Sequence, residues 1–268
     1  LLVQFPSWLS LAKPLRDRFG GSLVFDCMDD HSGFENTKPD ALQAEEDLLR
    51  EADLVLASSD LLFDKAKALN ENVLLVNNGT EFEHFHDPRR NGELDRLADR
   101  PVIGYFGAIA EWFDVELLAH CAKARPQWNF VLIGCHTHCD VSALERLGNV
   151  HLLGEKKYAE LPGYLAYFTV CTIPFQLTPL ILATNPVKFY EYLSAAKPVV
   201  SVNLPELQPF RDICYLAGNK EDFLSMLDAA VAEKPDKALT DKRLAVARGN
   251  SWDNRVETIL ASKAFGKR

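Results

Sequence analysis

Short apolar runs that alternate with amphipathic segments are the feature of this sequence that most constrains its fold. Runs at 53–57, 102–106 and 130–134 are apolar at nearly every position, which is typical of parallel strands that are covered on both faces. Turn residues follow each run, and a stretch with helical spacing comes next. Because strand–helix–strand units favour right-handed crossovers, the pattern predicts an α/β fold with doubly wound parallel sheets.

The pattern occurs twice, on either side of a polar segment at 86–100 that contains Pro88 and Gly92. Composition of this kind is typical of a domain boundary. We therefore expect residues 1–90 to belong to a first domain and residues 91–250 to form a second. A helix within 251–268 is expected to pack back on the first domain.

Composition limits the classes of partner and compartment. The chain has 29 Lys and Arg against 38 Asp and Glu, for a formal net charge of −9. We expect no nucleic-acid partner, because affinity for phosphate backbones comes mainly from basic groups. The six Cys residues do not form a disulfide framework, and free thiols predict a reducing, cytoplasmic location. No apolar stretch reaches the roughly 20 residues of a membrane-spanning helix.

The most informative segment is 183–200. Asn185 and Pro186 have the residue types of a helix cap and a first helical position, which would place Lys188 in the first helical turn. A lysine there opposes the helix dipole unless an anion such as a diphosphate binds at the same helix end. Glu191 lies one turn later on the same face and could accept hydrogen bonds from a ribose diol. An exposed Lys–Glu pair on an ordinary helix is the alternative.

Gly107 follows the strand at 102–106 and could let a phosphate approach the backbone closely. A glycine required only for the turn is the alternative. The glycine-rich fingerprint of dinucleotide-binding folds is absent from the sequence.

A cysteine- and histidine-containing loop, Cys135-His136-Thr137-His138-Cys139, carries residue types that bind zinc. No Cys-x-x-Cys pair lies elsewhere in the sequence to complete a site, so we predict two free thiols and no metal.

Several segments resemble the GT-B glycosyltransferases, and most closely the retaining family 4 group. The donor-site signature of that group resembles residues 184–193 together with 197–200. Its acceptor-domain, crossover and base-binding segments resemble 52–59, 76–85 and 149–162, in the same order. The resemblance covers nearly the whole chain and implies two Rossmann-like domains. Residues 1–90 would be the C-terminal part of the acceptor domain, which we expect to be incomplete, since such domains hold about three more strand–helix units.

The resemblance also implies roles for individual residues. Glu191 would bind the donor ribose and Lys188 the diphosphate. The remaining donor-site residues would lie near the sugar, the phosphates or the base: Thr184, Asn185, Gly107, Glu155 and Lys156. No metal or other cofactor is expected, because lysine and helix termini stabilise the leaving diphosphate in this fold.

The acceptor side is marked by acidic residues that follow the strand at 22–25. Related enzymes place a His–Asp pair near this point, so Asp29 or Asp30 could orient the acceptor hydroxyl or take its proton. A solvated acidic loop with a helix cap is the alternative.

Two departures from the family pattern affect the donor side. Glu111 stands in a turn where many relatives carry Arg and Lys, so phosphate neutralisation would depend more heavily on Lys188. Thr184 replaces a glutamate, which leaves the transferred sugar open.

The function that follows is a hexosyltransferase, metal-independent and retaining. It would move a sugar from a UDP- or GDP-linked donor to a glycan or glycolipid acceptor in cell-surface synthesis, such as that of a bacterial envelope. Peripheral contact with the inner face of the plasma membrane stays open. The alternatives are a sugar-nucleotide-binding module without transfer activity and an epimerase of the same fold.

Overall fold

The computed structural model of the chain describes residues 1–34 and 37–262. Ten strands alternate with helices along it. The strands are β1 (Leu2–Val3), β2 (Val24–Cys27), β3 (Leu54–Ala57), β4 (Val73–Leu75), β5 (Val102–Phe106), β6 (Asn129–Ile133), β7 (Val150–Leu152), β8 (Val170–Ile173), β9 (Val199–Val202) and β10 (Tyr215–Ala217). The α-helices are α1 (Leu9–Phe19), α2 (Pro39–Glu51), α3 (Asp60–Lys67), α4 (Phe82–Phe85), α5 (Val115–Ala124), α6 (Ser142–Glu145), α7 (Leu161–Leu165), α8 (Pro179–Leu182), α9 (Val187–Ser194), α10 (Lys220–Val231), α11 (Lys237–Gly249) and α12 (Trp252–Leu260). Short 3-10 turns lie at Pro6–Trp8, His31–Gly33, Asp95–Leu97, Tyr158–Glu160 and Pro205–Phe210.

The strands form two sheets in which every pair is parallel. The first has the order β1-β2-β3-β4, and the second has the order β10-β9-β8-β5-β6-β7. The strand order of the second sheet therefore reverses between β5 and β8, which is where ligands bind in doubly wound sheets. The predicted α/β class with two parallel sheets is confirmed.

Burial explains why the strand runs are apolar throughout. Every residue of β3, β5, β6, β8 and β9 is buried, as expected for strands with helices on both faces. The first sheet packs through Leu23, Phe25 and Val55 against helices that contribute Leu48 and Leu62.

The described residues divide into two compact units. The first unit comprises Leu1–Asn78, Thr178–Asn185 and the described residues from Trp252 onward, and the second comprises Gly79–Leu177 and Pro186–Ser251. The first unit therefore contains the four-stranded sheet and the second contains the six-stranded sheet. The segment 178–185 belongs to the first unit although both of its flanking segments belong to the second.

The capping residue agrees with the sequence-based prediction at α3 and differs from it at α9. Ser59 caps α3, as its residue type predicts, by accepting a hydrogen bond from the Leu62 amide. Asn185 was expected to cap the helix that carries Lys188, and this expectation is wrong: the residue at the cap position is Pro186, with no side-chain cap. None of the helices in the part of the chain that the structure describes is long and apolar enough to cross a membrane.

Candidate functional site

Three glycines lie at the carboxyl ends of adjacent strands in the second unit. Gly107, Gly134 and Gly154 follow β5, β6 and β7, and all three have positive φ angles, of 135°, 152° and 65°. The Gly107 amide donates to Ile133 O at 2.9 Å, and the Gly134 amide donates to Gly154 O at 2.9 Å. A Cβ on Gly134 would lie 1.9 Å from the Gly107 carbonyl oxygen. This sheet edge is therefore a backbone surface that side chains would disrupt.

Helix α9 begins beside this edge without a capping side chain. Its cap residue, Pro186, cannot cap through its side chain, and no acidic residue lies in the first turn. The first amides of an uncapped helix point outward and carry a partial positive charge. The start of α9 therefore presents the features of an anion site.

Lys188 is the second residue of α9 and points to the Gly107 turn. A Cβ on Gly107 would lie 3.1 Å from Lys188 Cε. The Lys188 Nζ atom lies 4.8 Å from the ring centre of Phe175 and 5.4 Å from that of Tyr105. For the residues that the structure describes, no hydrogen bond or ion pair is recorded for this ammonium. Burial lowers the pKa of Lys188, and the charge of Glu191 only partly offsets this effect.

Glu191 lies one helical turn after Lys188 and is 8% exposed. Burial raises the pKa of this carboxyl, Lys188 counteracts the effect, and the negative charge of Glu81 adds to it. The pair Lys188–Glu191 is thus the expected constellation, on one helix face, and it is largely withdrawn from water. Such burial leaves both groups dependent on a ligand for full compensation of their charges.

Aromatic packing holds this part of α9 against the sheet. The Phe106 amide donates to the hydroxyl of Tyr192 at 3.1 Å, and the two rings meet edge to face. The Tyr105 hydroxyl donates to Ala108 O at 2.8 Å, which fixes one of the two rings beside Lys188. The functional side chains therefore project from rigid elements.

The other predicted donor-site residues are distributed differently. Glu155 and Lys156 follow Gly154 at the end of β7, and Lys156 Nζ lies 5.4 Å from the ring centre of Tyr164. Thr184 and Asn185 lie in the segment 178–185, which packs with the first unit. The Thr184 hydroxyl donates to Leu180 O at 2.9 Å, and Asn185 O accepts from Asn78 Nδ2 at 2.6 Å. The structure therefore groups Lys188, Glu191 and Gly107, and it assigns Thr184 and Asn185 to the other unit.

In the first unit, Asp30 belongs to a network of charges. Lys65 Nζ lies 3.0 Å from Asp30 Oδ1 and 3.4 Å from an oxygen of Glu45, which is only 3% exposed. The other Glu45 oxygen lies 3.3 Å from His31 Nδ1. Asp30 also accepts hydrogen bonds from the amide and hydroxyl of Ser32. Burial opposes ionisation of Asp30, but the bonds from Ser32 and Lys65 prevail and lower its pKa.

Asp29 is in a different position from its neighbour. For its carboxylate, no hydrogen bond is recorded with any described residue. Burial raises the pKa of Asp29, and the charge of His31 partly offsets this. Of the two predicted acceptor-side carboxylates, Asp30 is thus bound within the protein, whereas the oxygens of Asp29 have no recorded hydrogen bond to residues 1–34 or 37–262 and could accept a proton.

The loop after β6 contains Cys135, which is exposed, and Cys139, which is half-buried; both are free thiols. Among residues 1–34 and 37–262, no group of three or more His, Cys, Asp or Glu side chains is placed to hold a metal ion.

Sequence reasoning missed several residues of both sites. Glu45 was not among the predicted site residues, yet it is buried between His31 and Lys65. Burial is the main cause that raises the pKa of Tyr158, and the negative charges of Glu191 and Glu81 add to it. Glu81 and Tyr158 therefore both lie close to Glu191. Tyr158 lies within the segment 149–162 that resembles the base-binding loop, whereas Glu81 was not expected near Glu191.

Comparisons with known proteins agree with this architecture. No protein-family model matches the chain. It is 30% identical over 230 residues to a putative teichuronic acid biosynthesis glycosyltransferase of Bacillus subtilis, TuaH. The matched region is 81% of this chain and 58% of that relative, so the chain spans less than two thirds of its length.

Solved structures of similar fold include two glycosyltransferases. Sucrose-phosphate synthase from Thermosynechococcus elongatus has a TM-score of 0.76 at 16% identity, over 96% of this chain and 71% of that one. Anabaena HepE, in complex with UDP and glucose, has a TM-score of 0.75 at 17% identity, over 97% of this chain and 78% of that one.

These likenesses agree with the two parallel-sheet domains, while the assignment to family 4 stays a prediction. The chain therefore has the GT-B fold of the nucleotide-sugar glycosyltransferases.

Proposed function

We propose that this chain is a glycosyltransferase that binds a nucleoside diphosphate sugar on its second unit and transfers the sugar to a hydroxyl acceptor. The acceptor oxygen bonds to the anomeric carbon while the bond between that carbon and the donor phosphate oxygen breaks, and the nucleoside diphosphate leaves with the bonding electrons and takes up the proton of the acceptor hydroxyl. Lys188 and the amides at the start of α9 would stabilise the negative charge that develops on the leaving diphosphate.

The single observation that carries this proposal is the arrangement at the start of α9. An ammonium for which no acceptor is recorded among the described residues, an uncapped helix end and a glycine turn meet at the strand-order reversal of the second sheet. A diphosphate would supply the negative charge that each of these features lacks. Glu191, one turn further, is the carboxylate for the ribose diol.

The finer features of the activity are part of the same proposal. Lys188 and the helix end supply the charge that a divalent cation would otherwise provide, so we expect transfer in the presence of a chelator. Retention of anomeric configuration follows from the resemblance to family 4. Assay of product configuration by NMR tests retention, and stimulation of a chelated enzyme by Mg²⁺ or Mn²⁺ would contradict metal independence.

The donor and acceptor classes are proposed from the relatives. HepE was solved with UDP and glucose, and TuaH is named for teichuronic acid biosynthesis. We accordingly propose a UDP-linked hexose as donor, with GDP-linked sugars as the alternative, and a cell-surface glycan or glycolipid as acceptor. Synthesis would take place in the cytoplasm, at the inner face of the plasma membrane if the acceptor is a glycolipid.

Calorimetric titration of UDP and GDP into the wild type and the Glu191→Gln variant tests the donor site. Loss of the charge-assisted hydrogen bonds to the ribose should weaken binding by about 2–4 kcal/mol. Binding of neither nucleotide to a folded wild type would remove the proposal. Binding without release of UDP from UDP-sugars in the presence of candidate acceptors would instead support a binding module.

A further inference from the structure

The recorded contacts of the Lys188 ammonium are made with two aromatic rings and not with a carboxylate. Its Nζ atom lies over the rings of Phe175 and Tyr105, at 4.8 and 5.4 Å from their centres. Both distances fall within the roughly 6 Å over which the negative face of a ring attracts a cation. Within residues 1–34 and 37–262, no ion pair joins Lys188 to a carboxylate, and Glu191 acts on it through charge alone. Ring faces are therefore the groups that the folded chain provides to this charge.

The two rings are held in place by contacts of their own. Tyr105 is fully buried and Phe175 is 3% exposed, and they meet edge to face with ring centres 6.3 Å apart. Phe113 packs on Tyr105 at 4.9 Å, and its backbone is joined to that of Phe175 by an isolated antiparallel bridge. The Tyr105 hydroxyl donates to Ala108 O at 2.8 Å. The rings therefore have fixed positions before any ligand binds.

Ring faces serve an ammonium differently from a carboxylate when an anion has to bind. A carboxylate would form a charge-assisted hydrogen bond with the ammonium, and a diphosphate would have to break that bond before it could bind. A ring attracts the cation without accepting such a bond, so the contact can persist when an anion arrives on the other side. The arrangement favours the charged form and keeps the ammonium available to a ligand.

The titratable groups recorded beside the ammonium, among the described residues, are Glu191 on α9 and Tyr105 on β5. Burial raises the pKa of the Tyr105 phenol, so this group stays neutral. Burial also lowers the pKa of Lys188, and the charge of Glu191 only partly offsets that effect. Phe175, which follows β8, carries no charge. The ring faces therefore add to Glu191 in opposing the loss of the proton.

We infer that Tyr105 and Phe175 are positioning residues of the donor site, whose ring faces hold the Lys188 ammonium charged and beside the Gly107 turn. This inference rests on the proposed function, in which the diphosphate binds at that turn, and it adds two residues that act through Lys188. Neither ring touches the donor in this role. Loss of a ring face should change the pH range in which Lys188 is charged, and not the strength with which the charged Lys188 binds the diphosphate.

Fluorination of Phe175 tests the inference with little change in the shape of the core. A trifluorinated phenylalanine at this position withdraws electron density from the ring face and nearly keeps the volume of the ring. The proton affinity of the Lys188 amine in the free protein should fall by about 2- to 30-fold, which lowers its pKa. NMR titration of protein with isotope-labelled lysine Cε atoms measures this pKa, and Lys188→Met assigns the signal.

Donor binding by the fluorinated variant should change in alkaline solution only. At about pH 6, Lys188 is charged in both proteins, so the UDP affinity of the variant should equal that of the wild type. At about pH 9.5, above the lowered pKa of Lys188, binding must also protonate the amine, and the affinity should be weaker by about 2- to 30-fold. Calorimetric titrations of UDP at the two pH values measure both affinities.

The matched variants Phe175→Leu and Phe113→Leu separate the effect of a ring face from that of packing. The two rings are 3% and 1% exposed and contact the same tyrosine, but of the two only Phe175 is recorded beside the ammonium. Phe175→Leu should lower the pKa of Lys188 as fluorination does, whereas Phe113→Leu should leave it unchanged. Circular dichroism shows whether each variant is folded, and the fluorinated protein decides the question if Phe175→Leu is not.

The outcomes decide the inference in either direction. A lower pKa of Lys188 in the fluorinated variant, with UDP affinity reduced only at alkaline pH, supports it. An unchanged pKa in the folded fluorinated variant overturns it, and so does an equal loss of UDP affinity at both pH values, which would show a structural role. An equal effect of Phe113→Leu on the pKa would also contradict it. If the wild type binds no UDP, the proposed function fails, and the pKa measured in the free protein alone decides whether the rings hold the charge.

Discussion

Lys65 in the first unit and Lys188 in the second are two largely enclosed ammonium groups with opposite surroundings. Lys65 lies between Asp30 and Glu45, at 3.0 and 3.4 Å. Although burial works against its charge, the bond to Asp30 and the charge of Glu45 raise its pKa. Lys188 is bordered by aromatic rings and a glycine turn, and burial lowers its pKa.

The contrast distinguishes charged side chains that pair with other protein groups from charged side chains that are available to bind a ligand. A buried charge with protein partners is compensated in the free protein, and its removal leaves those partners without compensation. A buried charge that its protein neighbours compensate only in part keeps a free-energy cost that a bound anion would offset. Strongly perturbed groups of the second kind mark functional sites.

Lys188→Met gives the largest expected effect and tests this contrast directly. It should weaken UDP binding by about 2–4 kcal/mol, or roughly 30- to 700-fold in Kd, because the diphosphate loses its main cationic partner. The free energy of unfolding should stay the same or rise, since a poorly compensated buried charge is removed. Calorimetry and urea denaturation measure the two effects. A large loss of stability with intact UDP binding would mean that Lys188 stabilises the fold and does not bind the diphosphate.

Lys65→Met should show the opposite behaviour. The ammonium is about one-third exposed, so we expect a loss of about 1–3 kcal/mol in stability, below the cost of breaking a fully buried pair. UDP affinity should not change. Because the pKa of Asp30 is lowered and that of Lys65 is raised, this stability is present between the ordinary pKa values of the two groups. It is lost as the pH falls through the pKa of Asp30 or rises through that of Lys65. Urea denaturation across this pH range provides the measurement.

The pH dependence of donor binding should reflect the second unit. Binding needs Glu191 ionised and Lys188 protonated. Burial raises the pKa of Glu191 and lowers that of Lys188. The pH range of tight binding should therefore be narrower at both ends than it would be for a carboxyl and an ammonium with ordinary pKa values. Each limb should change by no more than about tenfold per pH unit. Titration with UDP-glucose measures this effect, and Glu191→Gln should remove the acid limb.

Asp30→Asn and Asp29→Asn form a pair within one loop and should give the smallest effects on stability. Asp30→Asn weakens the contact with Lys65 and should cost about 0.5–1.5 kcal/mol. Asp29→Asn removes a charge that burial disfavours and that His31 offsets only in part, so it should leave stability unchanged or slightly higher. Thermal denaturation separates the two variants. Equal losses would mean that Asp29 has a structural role as well.

The sequence predicts the sheets and the Lys188–Glu191 pair well because both depend on local patterns. Parallel strands buried on both faces must be apolar throughout, and residues three apart on a helix must share a face. Lys188 lies in the first turn as predicted, although Pro186 occupies the cap position and not the first helical position.

Contacts between residues distant in sequence could not be predicted in the same way. Glu45 is buried because His31 and Lys65 reach it from two other elements, and a helical pattern does not contain that information. Tyr158 is supported by His84, which is 74 residues earlier in the chain. Thr184 and Asn185 are close to α9 in sequence, but their contacts assign them to the first unit.

The assignment of 178–185 to the first unit has a consequence for how this protein can be divided. No single cleavage of the chain yields either unit intact, because the first unit is assembled from three separate stretches. A fragment that ends at Asn78 would lack Ala183, which completes its apolar core, and the helix that starts at Trp252. Since those stretches are separated by more than 60 residues, closing the first unit requires long loops to form, and such non-local closure slows folding. We therefore expect neither unit to be obtained intact by cutting the chain at one position.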